Sequence, residues 1–548
     1  MKRFCLFISL IVVISMLVAC GNKTAAPEQP TAEVGLVGEP AQTEPQVGGT
    51  WVYATGDEPD TLDVQRTVSG DSELVMSLVG GTMLAADPDT KEFVPYLAES
   101  YSVSEDGSLW EIKIKDGITW HDGTPLTAED YVFTMERVLA NPSPATGAMT
   151  EGMASVEAID DLTVQIHMDT PNSGMFFGLT CAYMQPLPKH YIEEVGDEEF
   201  GRNPIGVGPY KFKEWITGDR IILERNPDFN WGPPYAHKGP AYIETIEIRF
   251  VPEYVTRLAG IETGEIDLSV IQNKDVKRIQ GLDIVDIITT EFKGAGPYLL
   301  FNVSKPPFDD ILVRKAFNLA INREELVQAV LLGFGEPLWG VITPATLGHW
   351  DGDKEIGYGY DLEQAKQLMA EAGYTLNSEG ILEKDGQPLV LEFKVSPSER
   401  GDSIKTAEIL LEQFKALGVE LDLRQLEYGV WQSELTSGNY TVTIDSWGWA
   451  EAQILMPIFH SSMMGGMNVG YVNDPVLDPI LLDAYIASNR DILQEKLNEA
   501  QKYVIEQAFT APLYSIQMNY GLSRKFENIK VDFLNVYPVL YDAYLAQP

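Results

Sequence analysis

Apolar side chains take every second position in several short stretches of this chain and recur at helical spacing in others. From Trp51 to Ala54, and at Trp110, Ile112 and Ile114 with Glu111 and Lys113 between them, the period of two predicts half-buried strands. A turn over Trp120–Leu126 leads to Thr127, placed to cap a helix on which Ala128, Val132, Met135 and Leu139 share one face. In the second half, Val313, Ala316, Phe317, Ala320 and Ile321 mark another helical face. Asp361 with Gln364 forms a capping arrangement for a helix bearing Leu362, Ala365, Leu368 and Met369, which Gly373 closes. A further helix carries Ala407, Leu410, Leu411, Phe414 and Leu417, with Gly418 as its stop, and Val419, Leu421 and Leu423 then alternate with charged residues in a strand. Helices followed by short strands predict an α/β architecture, and no fixed-period repeat is present.

The N-terminal pattern is of another kind. Lys2 and Arg3 precede an apolar run from Phe4 to Ile14, interrupted only by Ser9, the layout of a secretory signal too short for a membrane span. The stretch Leu17-Val18-Ala19-Cys20-Gly21 resembles the bacterial lipobox. That resemblance implies cleavage of residues 1–19 and acylation of Cys20, so that the mature protein is extracytoplasmic and held to the envelope membrane through the Cys20 lipid. Residues 20–47, with Pro27, Pro30, Pro40 and Pro45 among small and polar residues, bury too little to offset ordering entropy and form the expected tether.

Composition sharpens this picture. A chain of 548 residues with 45% hydrophobic content exceeds what one core organises, so two or three lobes are expected. A formal net charge of -42 excludes nucleic acid as a partner, because nothing here would neutralise phosphates. Of three cysteines, Cys5 leaves with the signal, Cys20 takes lipid, and Cys181 in its apolar run reads as a buried structural thiol.

Longer motifs follow one another in a characteristic order. They are Pro95-Tyr96-Leu97-Ala98-Glu99-Ser100-Tyr101, the Trp120 to Glu136 stretch, Gly206-Val207-Gly208-Pro209-Tyr210, Gly218 to Pro227, Arg257 to Asp267, and Phe301-Asn302-Val303-Ser304-Lys305-Pro306-Pro307-Phe308-Asp309. From Gly48 to the C-terminus the chain resembles the solute-binding proteins of the peptide and nickel class of ABC importers, extracellular solute-binding family 5. The resemblance implies an α/β, two-lobed, periplasmic-binding-protein type II-like fold of the enlarged cluster C type, with a hinge and an interlobe ligand cleft. It implies a first lobe, with an extra subdomain, over 48–293 plus 512–548, and a second lobe over 294–511. The hinge then lies near Phe292 to Pro297 and Phe509 to Ser515, where Gly294 and Gly296 suit a backbone that changes angle. Closure of the lobes on ligand would be the signal read by the permease subunits.

Candidate chemistry concentrates in Thr443-Ile444-Asp445-Ser446-Trp447-Gly448-Trp449-Ala450-Glu451. Two indoles beside carboxylates can stack on a ligand and grip a cation, while an apolar strand end packed in the core is the plainer alternative. In the family a strand ending in Gly-Trp is followed by an Asp that holds the α-amino group of a peptide. Here Ala450 stands three residues after Trp447 and Glu451 follows it. A buried ammonium needs a charge partner, which Glu451 or Asp445 could supply. If neither points inward, the ligand is neutral, and paired tryptophans suit sugar faces. Further cleft candidates are Glu58, Asn302, Tyr428, Trp431 and Met463 of the Met463-Met464-Gly465-Gly466-Met467 run. His121 beside Asp122 reads as structural, since no second histidine or nucleophile is near it in sequence.

No Gly-x-Ser-x-Gly, Ser-x-x-Lys, His-Glu-x-x-His or Walker loop occurs, and six scattered histidines offer no metal-ligand spacing. The chain is therefore expected to be a monomeric, non-enzymatic solute-binding lipoprotein without cofactor or metal. It would deliver an oligopeptide to an ABC importer, with an oligosaccharide as the alternative ligand, a ligand-presenting sensor as the alternative role, and a secreted hydrolase as the remote one.

Overall fold

A computed structural model describes residues 45–546, apart from 68, 91, 143, 398–401 and 533–536. The signal segment, Cys20 and all but the end of the expected tether lie outside the described residues. At that end Gln46 forms an antiparallel bridge with Leu545, and the Gly48 N–H donates to the Tyr242 carbonyl at 2.9 Å.

The body is a two-lobed α/β structure built on two large sheets. The first sheet runs, neighbour to neighbour, through Val285–Glu291, Tyr514–Ser523, Leu268–Ile271, Thr50–Thr55, Thr245–Phe250, Arg220–Arg225 and Tyr210–Ile216, with Gly335–Pro337 also paired to Tyr514–Ser523. Thr50–Thr55 is parallel to both its neighbours, and its side chains Trp51, Val52 and Ala54 are buried on alternate faces between helices. The second sheet runs Glu420–Gln425, Val390–Val395, Val442–Gly448, Gly294–Phe301 and Thr510–Pro512. Its first three strands are parallel, and Gly294–Phe301 is antiparallel to both its neighbours.

The chain passes directly from a strand of one sheet to a strand of the other at two places, while Gly335–Pro337 also joins the first sheet from between two strands of the second. Val285–Glu291 in the first is followed after two residues by Gly294–Phe301 in the second, and Thr510–Pro512 in the second by Tyr514–Ser523 in the first. Gly294 has φ +113°, and a Cβ there would stand 2.1 Å from the Trp447 carbonyl oxygen, so close backbone approach as well as dihedral freedom requires glycine. A Cβ on Gly296 would meet Leu338 Cδ1 at 2.4 Å.

A third, four-stranded antiparallel sheet, in the order Ala98–Val103, Leu109–Ile114, Thr163–Met168 and Met153–Asp160, has its own core of Trp110, Ile112, Ile114, Val164 and Ile166. The helix Ala128–Ala140 starts where its sequence indicates, with Asp130 Oδ2 accepting from the Thr127 N–H at 3.0 Å. Its buried face runs through Tyr131, Met135 and Val138, which leaves Leu139 at the margin, 36% exposed, rather than in the core. The helices Ile311–Leu319, Leu362–Glu371 and Ser403–Leu417 carry the apolar stripes read from the sequence, with Asp361 accepting from the Gln364 N–H and Gly418 closing the last at φ +94°. Cys181 is buried, and desolvation holds its thiol well above its ordinary pKa. His121 is a brace: its Nδ1 accepts from the Gly206 N–H at 3.2 Å and its Nε2 lies 3.1 Å from the Gly208 carbonyl.

Candidate functional site

Parallel strands leave their carboxyl ends open to solvent at one edge of a sheet, and ligands gather there. At that edge of the second sheet lies a cavity of about 720 Å³, within the roughly 300–1,000 Å³ typical of small-molecule sites. Its floor is the end of Val442–Gly448, where Ile444, Asp445, Ser446 and Trp447 line the space. One wall is the helix Tyr428–Thr436, contributing Tyr428, Trp431, Gln432, Leu435 and Thr436. Met463, Gly466, Met467 and Val469 form another, and Ser396, Pro397 and Ser403 follow the neighbouring strand Val390–Val395. Pro297 and Tyr514 come from the two passages between the sheets.

Asp445 is the single ionisable carboxylate among these described lining residues. It is 8% exposed, and desolvation raises its pKa to about 6. Three donors oppose that rise: the Ser446 N–H at 2.8 Å on Oδ1, and the Trp447 indole N–H at 2.9 Å and the Tyr298 hydroxyl at 3.4 Å on Oδ2. Tyr298 can reach because it is the direct cross-strand partner of Asp445. Trp431 is oriented in the same way, its indole N–H donating to Thr443 Oγ1 at 2.9 Å, and its ring centroid lies 5.7 Å from that of Tyr428. Thr443, Asp445 and Trp447 alternate along one strand, so one face carries the carboxylate, its indole and the anchor of a second indole.

The sequence-named residues thus separate into two groups. Trp447, Asp445, Tyr428, Trp431 and Met463 meet at the cavity. Trp449, Glu451, Glu58 and Asn302 stand elsewhere. Trp449 packs half-buried against the cluster that contains Trp431 and Leu455, and its N–H donates to the Lys293 carbonyl at 3.1 Å. Glu451 pairs through its backbone with Leu347 and is sealed at 2% exposure, its pKa raised by burial to about 8 with Arg490 Nη1 3.8 Å away. Glu58 braces the first sheet, accepting from the Trp215 indole at 2.8 Å and the Gly218 N–H at 3.0 Å. Asn302 is fully buried and donates to the carbonyls of Gly438 and Tyr440.

Sequence reading missed Gln432, Leu435, Thr436, Ser396, Pro397 and Tyr514, and its methionine run supplied Met467 as well as Met463. The positions 428, 431, 432 and 435 form one helical stripe, a signal present in the sequence. Ser396, Pro397 and Tyr514 reach the cavity only because of strand order, which no local pattern carries. Among the described residues, no group of three or more His, Cys, Asp or Glu is placed to hold a metal ion, and no helix is long and apolar enough to cross a membrane.

The family model described as bacterial extracellular solute-binding proteins, family 5 Middle, matches residues 92–462. The chain belongs to this family. It is 28% identical over 488 residues to the oligopeptide-binding protein AppA of Bacillus subtilis (strain 168), covering 86% of this chain and 87% of that one. It is 26% identical over 504 residues to heme-binding protein A of Haemophilus influenzae, covering 86% and 88%. Among solved structures, Bacillus subtilis AppA in complex with a nonapeptide superposes with a TM-score of 0.69 at 26% identity, covering 92% of this chain and 100% of that chain. HbpA2 from Haemophilus parasuis superposes with a TM-score of 0.81 at 22% identity, covering 91% and 100%, and shares the fold. This family 5 member is therefore built as a bacterial extracellular solute-binding protein.

Proposed function

We propose that this solute-binding protein captures an oligopeptide-like ligand between its lobes, with the ligand's α-amino group against Asp445, and delivers it to the permease of an ABC importer. The observation that carries the reading is one carboxylate set among aromatic and apolar side chains in a large cavity. A buried ammonium is strongly disfavoured without a counter-charge, and Asp445 supplies one whose oxygens are already held by an indole, a phenol and a backbone N–H. Trp447, Trp431 and Tyr428 offer faces for apolar side chains, and Met463 and Met467 adapt to varied shapes. The oligopeptide-binding and dipeptide-binding proteins among its relatives support the same class of ligand.

In this reading the lobes are 48–293 with 512–548, and 294–511, and Phe292–Pro297 and Phe509–Ser515 form the hinge. In the same reading the protein works as a monomer. It is held outside the cytoplasm by lipid on Cys20, has no catalytic role, and presents its ligand for import rather than sensing. An oligosaccharide is the second reading, favoured by the aromatic faces together with the neutral polar groups of Ser396, Ser403, Gln432 and Thr436 in the same wall.

Thermal unfolding against pools of free peptides, N-acetylated peptides and oligosaccharides tests it. A ligand at a hundred times its dissociation constant adds about 2.7 kcal/mol, a readable melting shift. Stabilisation by free peptides alone supports the Asp445 clamp. Stabilisation by sugars alone replaces it with aromatic stacking.

A further inference from the structure

The two lobes also touch through side chains that line neither passage nor cavity. The subdomain of the four-stranded sheet meets the segments that flank the helices Leu477–Tyr485 and Arg490–Gln507 in the second lobe. The Ser173 N–H donates to the Tyr485 carbonyl at 2.9 Å, and its hydroxyl lies 3.0 Å from the carbonyls of both Ala484 and Tyr485. Gln453 Nε2 donates to Ser173 Oγ at 2.7 Å. The Tyr485 hydroxyl reaches back to Glu151 Oε2 at 2.6 Å. The guanidinium of Arg490 lies 4.3 Å over the ring of Phe93. Apolar packing accompanies these bonds, for Leu347 and Ala450 rest against the core of the four-stranded sheet.

Arg490 Nη1 is buried with no hydrogen-bond partner, and the nearest carboxylate, Glu451, stands at 3.8 Å. None of the contacting side chains lines the cavity.

We infer that Ser173, Gln453, Tyr485 and Arg490 form a clamp between the four-stranded subdomain and the second lobe, which draws the lobes together before any ligand is present. A protein with such a contact has a fraction of its ligand-free population already closed, and that fraction multiplies the intrinsic affinity of any ligand that requires closure. The clamp therefore sets affinity without touching ligand, and its strength is adjusted independently of what the cavity recognises.

Small-angle scattering of the ligand-free protein tests this without reference to any ligand, so the outcome stands apart from the identity of the solute. Tyr485→Phe removes only the bond to Glu151, and Tyr485→Phe with Arg490→Met removes the cation as well. The expected result is a stepwise increase in radius of gyration, corresponding to about a fivefold fall in the closed fraction for the single variant, with melting still cooperative. Scattering curves that superimpose on the wild type in both variants overturn the clamp. Should the double variant fail to fold, hydrogen exchange in the unaltered, ligand-free protein decides: the Ser173 amide is expected to be protected, and exchange at the rate of an open loop overturns the inference.

Discussion

Asp445 and Glu451 lie six residues apart on the same stretch of chain, both buried, both with carboxyls lifted by desolvation, and they occupy different worlds. Asp445 is still on the strand Val442–Gly448, where alternation aims it with Thr443 and Trp447, and three donors hold its oxygens beside an open cavity. Glu451 follows the end of that strand. Its backbone has turned to pair with Leu347, its carboxyl has Arg490 Nη1 3.8 Å away, and the ring of Phe93 covers that cation. Burial lifts the first carboxyl to about 6 and its three donors keep it from rising further, so that it is charged at neutral pH. Burial with a single distant partner leaves the second at about 8, mostly protonated at pH 7. Proximity in a motif says little about role; where the strand ends decides which carboxyl faces the cavity.

Neutralising the first carboxyl should have the largest effect on binding. Asp445→Asn is expected to cost free peptides about 2–5 kcal/mol of binding, read by titration calorimetry, while N-acetylated peptides lose little. Equal losses for both would show that the ammonium is bound elsewhere. Trp447→Ala removes a stacking face and the indole donor together, and about 2 kcal/mol of affinity should go with it, with a smaller change in melting temperature because the ring is only half-buried. Unchanged affinity would return this tryptophan to the core.

Acidity separates the two carboxyls by sign. Asp445 must be ionised to hold an ammonium, so affinity for free peptides falls about tenfold per pH unit below its pKa of about 6, a trend calorimetry across pH 4.5–7.5 would expose. For Glu451 the folded pKa lies above the ordinary 4.5, so its contribution to stability is complete below 4.5 and is lost as pH rises towards about 8. The difference in unfolding free energy between wild type and Glu451→Gln should therefore change by on the order of 1 kcal/mol per pH unit across that window. A flat difference would mean that Glu451 titrates normally in the folded chain. Smallest of all, Glu58→Gln disturbs a half-exposed brace to Trp215 and Gly218 and should shift stability by under about 1 kcal/mol, leaving ligand affinity as it was.

Much of the fold was legible because periodicity is local. The faces through Ala365 and Met369 and through Ala407, Leu410 and Phe414 were read directly, and so were the strand at Trp110–Ile114 and the caps at Asp361 and Gly418. The site was legible in part. Trp447, Asp445, Tyr428, Trp431 and Met463 carried their chemistry in residue type, whereas the separation of Trp449 and Glu451 from them depends on where a strand stops and what then pairs with it. Asn302 shows the converse: its motif drew the eye, yet its amide is consumed by the carbonyls of Gly438 and Tyr440. Tyr514 enters the cavity from the first residue of a strand in the other sheet, a relation over long sequence separation that no window of neighbouring residues contains.

Gly294 lies in register with Gly448, and a Cβ on it would sit 2.1 Å from the Trp447 carbonyl oxygen and 2.5 Å from the Trp449 nitrogen, both of them backbone atoms that cannot step aside. The strand leading out of the first lobe and the strand bearing the cavity floor therefore mesh like gear teeth with no slack between them. A side chain at position 294 would force these two strands apart at the cavity floor. In a saturation library selected for solute capture, position 294 should accept glycine and nothing else, while the codons for solvent-facing Leu376 and Val255 drift freely.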